Sequence, residues 1–142
     1  VVNRARRWDI EGKRFFEIGG KIFFEDLGIR NAIIGYRPND IGGLMENVVY
    51  NHLNSSGYKV TVGVLPQGNE IDFIAEKENE YKYIQVAVSV NNEATMQREF
   101  GNLEKIPDNY EKIVVTLRDS SPNTYKGMRQ LTLRQFLLDT FD

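Results

Sequence analysis

Two alternating runs of apolar residues, joined by a charged segment, constrain the fold of this chain more than any other feature. They read NEIDFIAE and YKYIQVAVSV, and KENE lies between their apolar parts. Alternation over this length predicts two half-buried strands, and the charged segment predicts a hairpin turn between them. A loop of two residues and a loop of four residues give the same register, in which Asp72 faces Gln85 and Glu70 faces Ala87.

The hairpin predicts where polar side chains gather. Because successive strand residues point to opposite faces, Glu70, Asp72, Gln85 and Ala87 are expected on one face. The opposite face is then expected to be apolar and to carry Ile71, Phe73, Ala75, Ile84, Val86 and Val88.

Further elements surround the hairpin. A helix is predicted from an N-cap at Asp40 to a stop at Gly57, with Glu46 at the margin of its apolar stripe. Met96, Phe100, Leu103 and Ile106 have helical spacing after the hairpin. The remaining segments are predicted as a strand at 20–26, a short helix to Gly35, a strand at 58–64, a buried strand at 111–117, a surface loop at 118–127 and a short terminal helix, or a strand plus helix, at 131–141. The central order is α-β-β-β-α-β, an α/β fold with a mixed central sheet.

The composition of the chain excludes several classes of protein. A chain of 142 residues with 41% apolar residues suits one domain with one core. A net charge of −2 and a pI near 5.5 argue against a surface that is basic all over, as strong nucleic-acid binders have. With no cysteine and one histidine, disulfides and the usual zinc ligand sets are missing. The lack of cysteine suits a reducing cytoplasm, so a cytoplasmic location is expected. No apolar run has the length of a membrane span, and no signal-peptide pattern opens the sequence.

The first residues differ from the rest in charge. VVNRARRWDIEGKR has five basic and two acidic residues, and we expect residues 1–19 to be an interdomain segment of a larger protein. Trp8 and the basic RARR could touch nucleic acid or an anionic surface. In the plainer interpretation they belong to a disrupted interdomain segment. Residues 20–142 are expected to form a single α/β domain.

The predicted order and its carboxylates match the pattern of the PD-(D/E)XK nuclease-like superfamily. That pattern has a helix acid, an Asp on the second strand and E-x-K on the third. Glu46 and Asp72 match the two acids, but Gln85-Val86-Ala87 stands where E-x-K is expected. In such sites carboxylates hold Mg²⁺ and the lysine positions or deprotonates the attacking water. Gln85 keeps an oxygen and loses a charge, and Ala87 removes the cation.

Nearly the whole chain from residue 20 to residue 117 resembles one family more closely. The segments FFEDLGIRNAIIG, LMENVVYNHLNSSGYKV, NEIDFIAEK, YIQVAVSV and TMQREFGNLEKIPDNYEKIVVTL are similar to domain of unknown function 4143, the C-terminal domain of a class of prokaryotic AAA+ superfamily ATPases. The resemblance implies a PD-(D/E)XK-like fold, with I-Q-V-A as a family habit, behind an N-terminal ATPase domain that would be this chain's partner. It also implies a set of motif positions: Glu46, Glu70, Asp72, Gln85, Thr95, Arg98 and Glu99.

These residues leave several functions open. No G-x-x-x-x-G-K-[ST] phosphate loop occurs, so this part of the protein has no ATP site of that type. The favoured interpretation is a degenerate nuclease-like accessory domain that recognises a protein partner or nucleic acid. One alternative is an active Mg²⁺-dependent nuclease with Glu46, Glu70 and Asp72 on the metal. Another is a structural module for homo-oligomerisation.

Individual residues also have plainer interpretations. Glu70 and Asp72 could simply end a strand. Arg98 and Glu99 could be a solvated helix face, although their place beside Thr95 favours an ion pair that supports Glu46 or Asp72. We expect His52 to be a packing residue.

Overall fold

The computed structural model describes residues 2–35, 37–118 and 124–139. Within them the strands are β1 (Val2–Ala5), β2 (Arg7–Asp9), β3 (Arg14–Phe15), β4 (Lys21–Phe24), β5 (Lys59–Val64), β6 (Glu70–Lys77), β7 (Glu80–Ala87), β8 (Glu111–Thr116), β9 (Thr124–Tyr125) and β10 (Met128–Thr132). The helices are α1 (Leu27–Ile34), α2 (Ile41–Ser55), α3 (Glu93–Glu104) and α4 (Leu133–Leu138). The run α2-β5-β6-β7-α3-β8 confirms the predicted α-β-β-β-α-β order.

The main sheet is mixed, as predicted. Its strand order is β3-β2-β5-β6-β7-β8-β10-β9. Strand β6 is antiparallel to both of its neighbours, β5 and β7. The pairs β2–β5, β7–β8 and β8–β10 are parallel. Strands β1 and β4 form a separate antiparallel pair. Residues 2–15, which the sequence analysis assigns to an interdomain segment, therefore include three strands that pair with this fold.

The predicted hairpin register is confirmed over its regular part. Phe73 pairs with Ile84, and Lys77 pairs with Glu80 across a loop of two residues. Glu78 and Asn79 in this loop have φ of 54° and 66°, the left-handed conformation that two-residue hairpin loops of type I′ require. The short loop thus sets which residues of β6 and β7 are neighbours at the far end of the hairpin.

Helices cover both faces of the sheet. On one face, α2 contributes Val49, Tyr50 and Leu53 to a core that also includes Phe136 of α4. His52 packs against Phe136 with 5.4 Å between ring centroids, which agrees with the packing interpretation. On the other face, α3 contributes Phe100 to a second core cluster. Among the described residues, no helix is long and apolar enough to cross a membrane.

The boundaries of α1 and α3 follow their capping residues. The Asp26 side chain accepts hydrogen bonds from the first turn of α1, and Gly35 ends that helix at a φ of 80°. The Asn92 side chain accepts from Thr95 N at 2.8 Å at the start of α3. Asp40 precedes α2 as predicted, but its carboxylate pairs with Arg30 and makes no cap hydrogen bond. Residues 119–123 of the predicted surface loop and 140–141 of the terminal segment lie outside the described residues.

Candidate functional site

A β-bulge positions Asp72 at the end of the hairpin. Thr61 of β5 pairs with Ile74 and Gly63 pairs with Ile71, so Val62 between them faces two residues of β6, Asp72 and Phe73. Bulges interrupt a ladder and redirect side chains, and they are frequent beside functional sites. At this point β6 and β7 are joined by side chains in place of a regular backbone ladder.

The amide of Gln85 and the carboxylate of Asp72 make these joining contacts. Gln85 Oε1 accepts a hydrogen bond from Asp72 N at 2.8 Å. In return Asp72 Oδ2 accepts from Val86 N at 2.8 Å. Gln85 is only 2% exposed. The predicted proximity of Asp72 and Gln85 is therefore present, with both side chains bonded to the backbone of the opposite strand.

The expected grouping of Glu70, Asp72, Gln85 and Ala87 on one polar face is wrong. Ala87 packs in the apolar cluster of the α3 face, and it is joined there by Ile71, which was expected on the opposite face. Glu70 instead forms an ion pair with Arg7 of β2, with 2.8 Å between Arg7 Nη2 and Glu70 Oε1. The bulge at Asp72 is the physical reason, since one extra residue reverses the alternation on its N-terminal side.

A lysine that the sequence analysis did not single out lies beside the two acids. Lys21 Nζ on β4 is 3.1 Å from Glu46 Oε1 and 3.6 Å from Asp72 Oδ1. Glu46 comes from α2, where its side chain is 24% exposed, in keeping with the margin of the apolar stripe. Three separate elements thus bring one cation and two carboxylates together. We call Lys21, Glu46 and Asp72 the acidic site.

A buried asparagine holds β4 against α2 and so positions Lys21. Asn47, 2% exposed, accepts from Phe24 N at 3.1 Å and donates to the Phe24 carbonyl at 2.7 Å. Asn51, one helical turn later, donates to the same carbonyl at 2.9 Å. These bonds fix the last residue of β4 on the helix, and Lys21 at the other end of this strand then reaches Glu46.

The protonation equilibria of the acidic site reflect its burial. Loss of solvation together with the negative charge of Glu46 raises the pKa of Asp72 to about 7, although the Val86 amide and Lys21 act in the opposite direction. Burial lowers the pKa of the Lys21 ammonium, but Glu46 and Asp72 outweigh this effect and the net pKa is raised. Near neutral pH the Asp72 carboxyl is therefore partly protonated, and Lys21 is charged.

The family-motif residues of α3 are Thr95, Arg98 and Glu99, and the charge of Glu46 acts on Glu99. Arg98 Nη2 lies 3.1 Å from Glu99 Oε1, which is an ion pair between adjacent residues. That this pair supports Glu46 or Asp72 stays a prediction. Arg98 is 68% exposed at its side chain, whereas Glu99 is 12% exposed. Burial raises the pKa of Glu99, Arg98 opposes the rise, and the nearby charge of Glu46 adds to it. Thr95 lies one turn earlier and is half-buried.

The arrangement fits a divalent metal poorly. Over residues 2–35, 37–118 and 124–139, no group of three or more His, Asp or Glu side chains is placed to hold a metal ion. The ammonium of Lys21 lies between Glu46 and Asp72, and Glu70 is directed to Arg7. A metal ion shared by these acids would first have to displace Lys21. The metal-binding interpretation of Glu46, Glu70 and Asp72 remains a prediction.

One pattern in the sequence points to Lys21. Lys21 and Phe23 are two residues apart on β4 and so share a face, and Phe23 is buried. A lysine on the buried face of a strand must find a carboxylate, because an unpaired buried charge is costly. For Asn47 and Arg7 the sequence offers no comparable pattern.

Comparison with known proteins confirms the resemblance to domain of unknown function 4143. The model of the DUF4143 family, described as a domain of unknown function, matches residues 41–136. The chain is 35% identical over 135 residues to an uncharacterized protein of Haemophilus influenzae, and the match covers 95% of this chain and 33% of the relative. The chain thus spans about a third of the length of that relative. No solved structure is significantly similar to this chain. Because the family model covers more than half of the chain, including Glu46, Asp72 and Gln85, the protein belongs to the DUF4143 family.

Proposed function

We propose that this chain is an accessory domain of a larger ATPase, that its fold is a degenerate form of the PD-(D/E)XK nuclease fold, and that it recognises a protein partner. The AAA+ ATPase part would lie in the portion of the protein outside this chain, because the match covers only 33% of the Haemophilus influenzae relative. The absence of cysteine suits a cytoplasmic location. The element order and the parallel β7–β8 pair next to the hairpin support the nuclease-like fold.

The position of Lys21 carries the proposal. Its ammonium lies within 4 Å of both Glu46 and Asp72, so the chain itself supplies a counter-charge to these carboxylates. Asp72 has its other oxygen on Val86 N, and the Gln85 amide oxygen is used by Asp72 N. The groups that a nuclease would turn toward metal and substrate are here bonded to the protein.

The surface favours a protein over a nucleic acid as the partner. Many of the basic side chains have acidic neighbours, including Arg7 with Glu70 and Lys82 with Glu111, and the net charge is −2. Three isoleucines of β4 and α1 are exposed, Ile22 at 62%, Ile29 at 45% and Ile33 at 68%. Helix α1 has no buried residue at all. Exposed apolar residues on an otherwise charged surface suit contact with another protein surface, and the first candidate is the ATPase part of the same protein.

A second candidate function is an active nuclease, and Lys21 is also the observation that favours it. The third-strand lysine is replaced by Ala87, but β4 delivers a cation to the same two acids. In this alternative Lys21 would leave the carboxylates when a metal ion and a phosphodiester enter. Its ammonium would then neutralise charge on the phosphate.

Titration calorimetry with Mg²⁺ and Mn²⁺ tests the choice between these functions. The proposal expects no binding by the wild-type chain at millimolar metal and no metal-dependent cleavage of single-stranded or duplex DNA or RNA. Binding that Asp72→Asn abolishes, together with cleavage, would establish the nuclease instead. Lys21→Met is the informative companion, because removing the ammonium should create metal binding only if Glu46 and Asp72 are otherwise competent ligands.

A third possible function is self-association, and the molecular mass of the chain in solution distinguishes it from the other two. Sedimentation equilibrium of the chain over a hundredfold concentration range gives the oligomeric state directly. A monomer throughout agrees with a heterologous partner. A dimer that Ile33→Ser dissociates would show that the isoleucine surface of α1 serves a second copy of the chain.

A further inference from the structure

A cavity of about 590 Å³ opens on the face of the sheet that carries α3. Its inner part belongs to the second core cluster and includes Leu65 and Ile74, which are almost completely buried. None of its lining residues belongs to the acidic site. The volume lies within the range of small-molecule pockets in proteins.

Aromatic side chains form much of the cavity wall. Trp8 comes from β2, Tyr81 and Tyr83 from β7, and Tyr110 from the loop before β8. Tyr81 and Tyr110 meet edge to face, with 5.2 Å between ring centroids. The hydroxyl of Tyr83 donates a hydrogen bond to Asp108. These contacts fix the rings from several elements, so the aromatic wall is largely formed before any ligand binds.

Two lysines give the exposed part of the cavity its charge. Lys13 follows β2, and Lys105 follows α3. Within the described part of the chain, neither ammonium group has a hydrogen bond or an ion pair, in contrast to Lys21 or Lys112. The lining also contains two acids, Asp108 and Glu11. Asp108 is bonded to Tyr83 and Lys112, so Glu11 is the acid of the lining that could still pair with a lysine there. The cavity thus combines an aromatic interior with two uncommitted cations.

We propose that this cavity binds a small aromatic anion. A planar ring would lie among Trp8, Tyr81 and Tyr110, and its anionic substituent would meet Lys13 and Lys105. Aromatic faces favour a flat ring, and the lysines favour phosphate or carboxylate over a neutral group. Two sources share this chemistry, a nucleoside monophosphate and an aromatic carboxylate. The inference does not rest on the proposed accessory function, because it concerns a different face and different residues.

The chain contains one tryptophan, which lies in the cavity, so its indole N–H gives a single NMR resonance that reports on this site. The probes are adenosine monophosphate and benzoate, with adenosine, benzyl alcohol and inorganic phosphate as matched partial ligands. We expect at least one aromatic anion to shift the Trp8 resonance saturably in the millimolar range or below. Its neutral counterpart should bind at least tenfold more weakly, and phosphate alone should leave the resonance unchanged.

Variants separate this site from the rest of the protein. Lys13→Gln with Lys105→Gln should weaken the aromatic anion about tenfold, and Tyr110→Ala should weaken it while leaving the fold intact. Lys126→Gln removes a lysine outside the cavity and should leave affinity unchanged, as should Asp72→Asn. The proposal is overturned if neither aromatic anion shifts the resonance, if the neutral counterparts bind as well, or if the double variant binds like the wild type.

Discussion

The backbone N–H of Asp72 donates to the side-chain oxygen of Gln85 at 2.8 Å, across the point where the hairpin ladder is interrupted. The Asp72 carboxylate accepts from Val86 N in return, so side chains join β6 and β7 beyond Phe73 and Ile84, where the regular pairing of these strands ends. An amide oxygen can accept this bond without adding charge. A carboxylate in its place would put another negative charge near Glu46 and Asp72. Gln85 therefore suits a site whose acids are already close together.

Replacing Gln85 by alanine is expected to lower the free energy of unfolding by about 1–3 kcal/mol, because the buried N–H of Asp72 loses its acceptor. Urea denaturation followed by circular dichroism measures the change. Gln67→Ala is the matched control, since Gln67 is exposed in the loop after β5. Equal losses in both variants would show that the Asp72–Gln85 bond contributes no more than an exposed glutamine.

Replacing Gln85 by glutamate restores the residue type of the nuclease pattern and tests the charge argument. The acceptor for Asp72 N is kept, so destabilisation should come from repulsion with Asp72 and Glu46. We expect a loss of about 1–2 kcal/mol at pH 8 and a smaller loss at pH 5, where the carboxylates share more protons. Stability that is the same for Gln85→Glu and wild type at both pH values would contradict repulsion at this position.

Asp72→Asn is expected to stabilise the protein in alkaline solution. The folded state raises the pKa of Asp72 from 3.8 to about 7, so ionisation of this carboxyl opposes folding. The penalty is complete above pH 7, shrinks as the pH falls through that pKa, and vanishes below the unfolded value near 4. Asparagine keeps an oxygen for Val86 N and removes the charge. The stabilisation at pH 8 has an upper limit of about 4 kcal/mol.

Denaturation of wild type and Asp72→Asn in parallel at pH 4, 6 and 8 gives the difference directly. The difference in unfolding free energy should grow with pH over this range. Asp139→Asn is a suitable control, because that carboxylate is on α4's C-terminal side and pairs with Arg129. A difference that is constant with pH would mean that Asp72 titrates near its ordinary value in the folded protein.

Much of the central fold could be predicted because local patterns and tertiary structure agree there. The alternation in β6 and β7 gives the strands, and the two-residue loop gives the register from Phe73–Ile84 onward. The helical spacing around Phe100 gives α3 for the same reason. Strand β2 was missed because three residues carry no measurable periodicity. It is recognisable only from its parallel pairing with β5, which is more than fifty residues later.

The site was predicted less completely because its geometry depends on a bulge and on long-range pairs. Strict alternation places Glu70 beside Asp72, but the extra residue opposite Val62 sends Glu70 to Arg7. The contact of Lys21 with Glu46 depends on Asn47 holding β4 to α2. No local propensity encodes either relationship. The proximity of Asp72 to Gln85 could be predicted because both residues adjoin the regular ladder, although the expected polar face could not.

The hairpin loop gives a prediction on stability away from the site. Asn79 has a φ of 66°, a conformation that asparagine and glycine tolerate and that alanine adopts at a cost of about 1–2 kcal/mol. Asn79→Ala should therefore be less stable than Asn79→Gly by about 1 kcal/mol in thermal denaturation. If alanine is as stable as glycine here, the loop does not hold the type I′ conformation in solution.

Replacing Lys21 by methionine is expected to destabilise the protein by about 1–3 kcal/mol at pH 8, because partly buried carboxylates lose a charged partner. The variant keeps most of the side-chain volume but leaves Glu46 and Asp72 without their shared cation. The surviving repulsion should raise the pKa of Asp72 further, because Lys21 lowers it in the wild type. The loss should therefore shrink at pH 5, where a proton replaces the ammonium as the neutralising charge. Lys126→Gln, which breaks an exposed pair with Glu104, should cause no measurable change. A loss for Lys21→Met that is independent of pH would assign the role of this lysine to packing of its aliphatic stem instead of to charge.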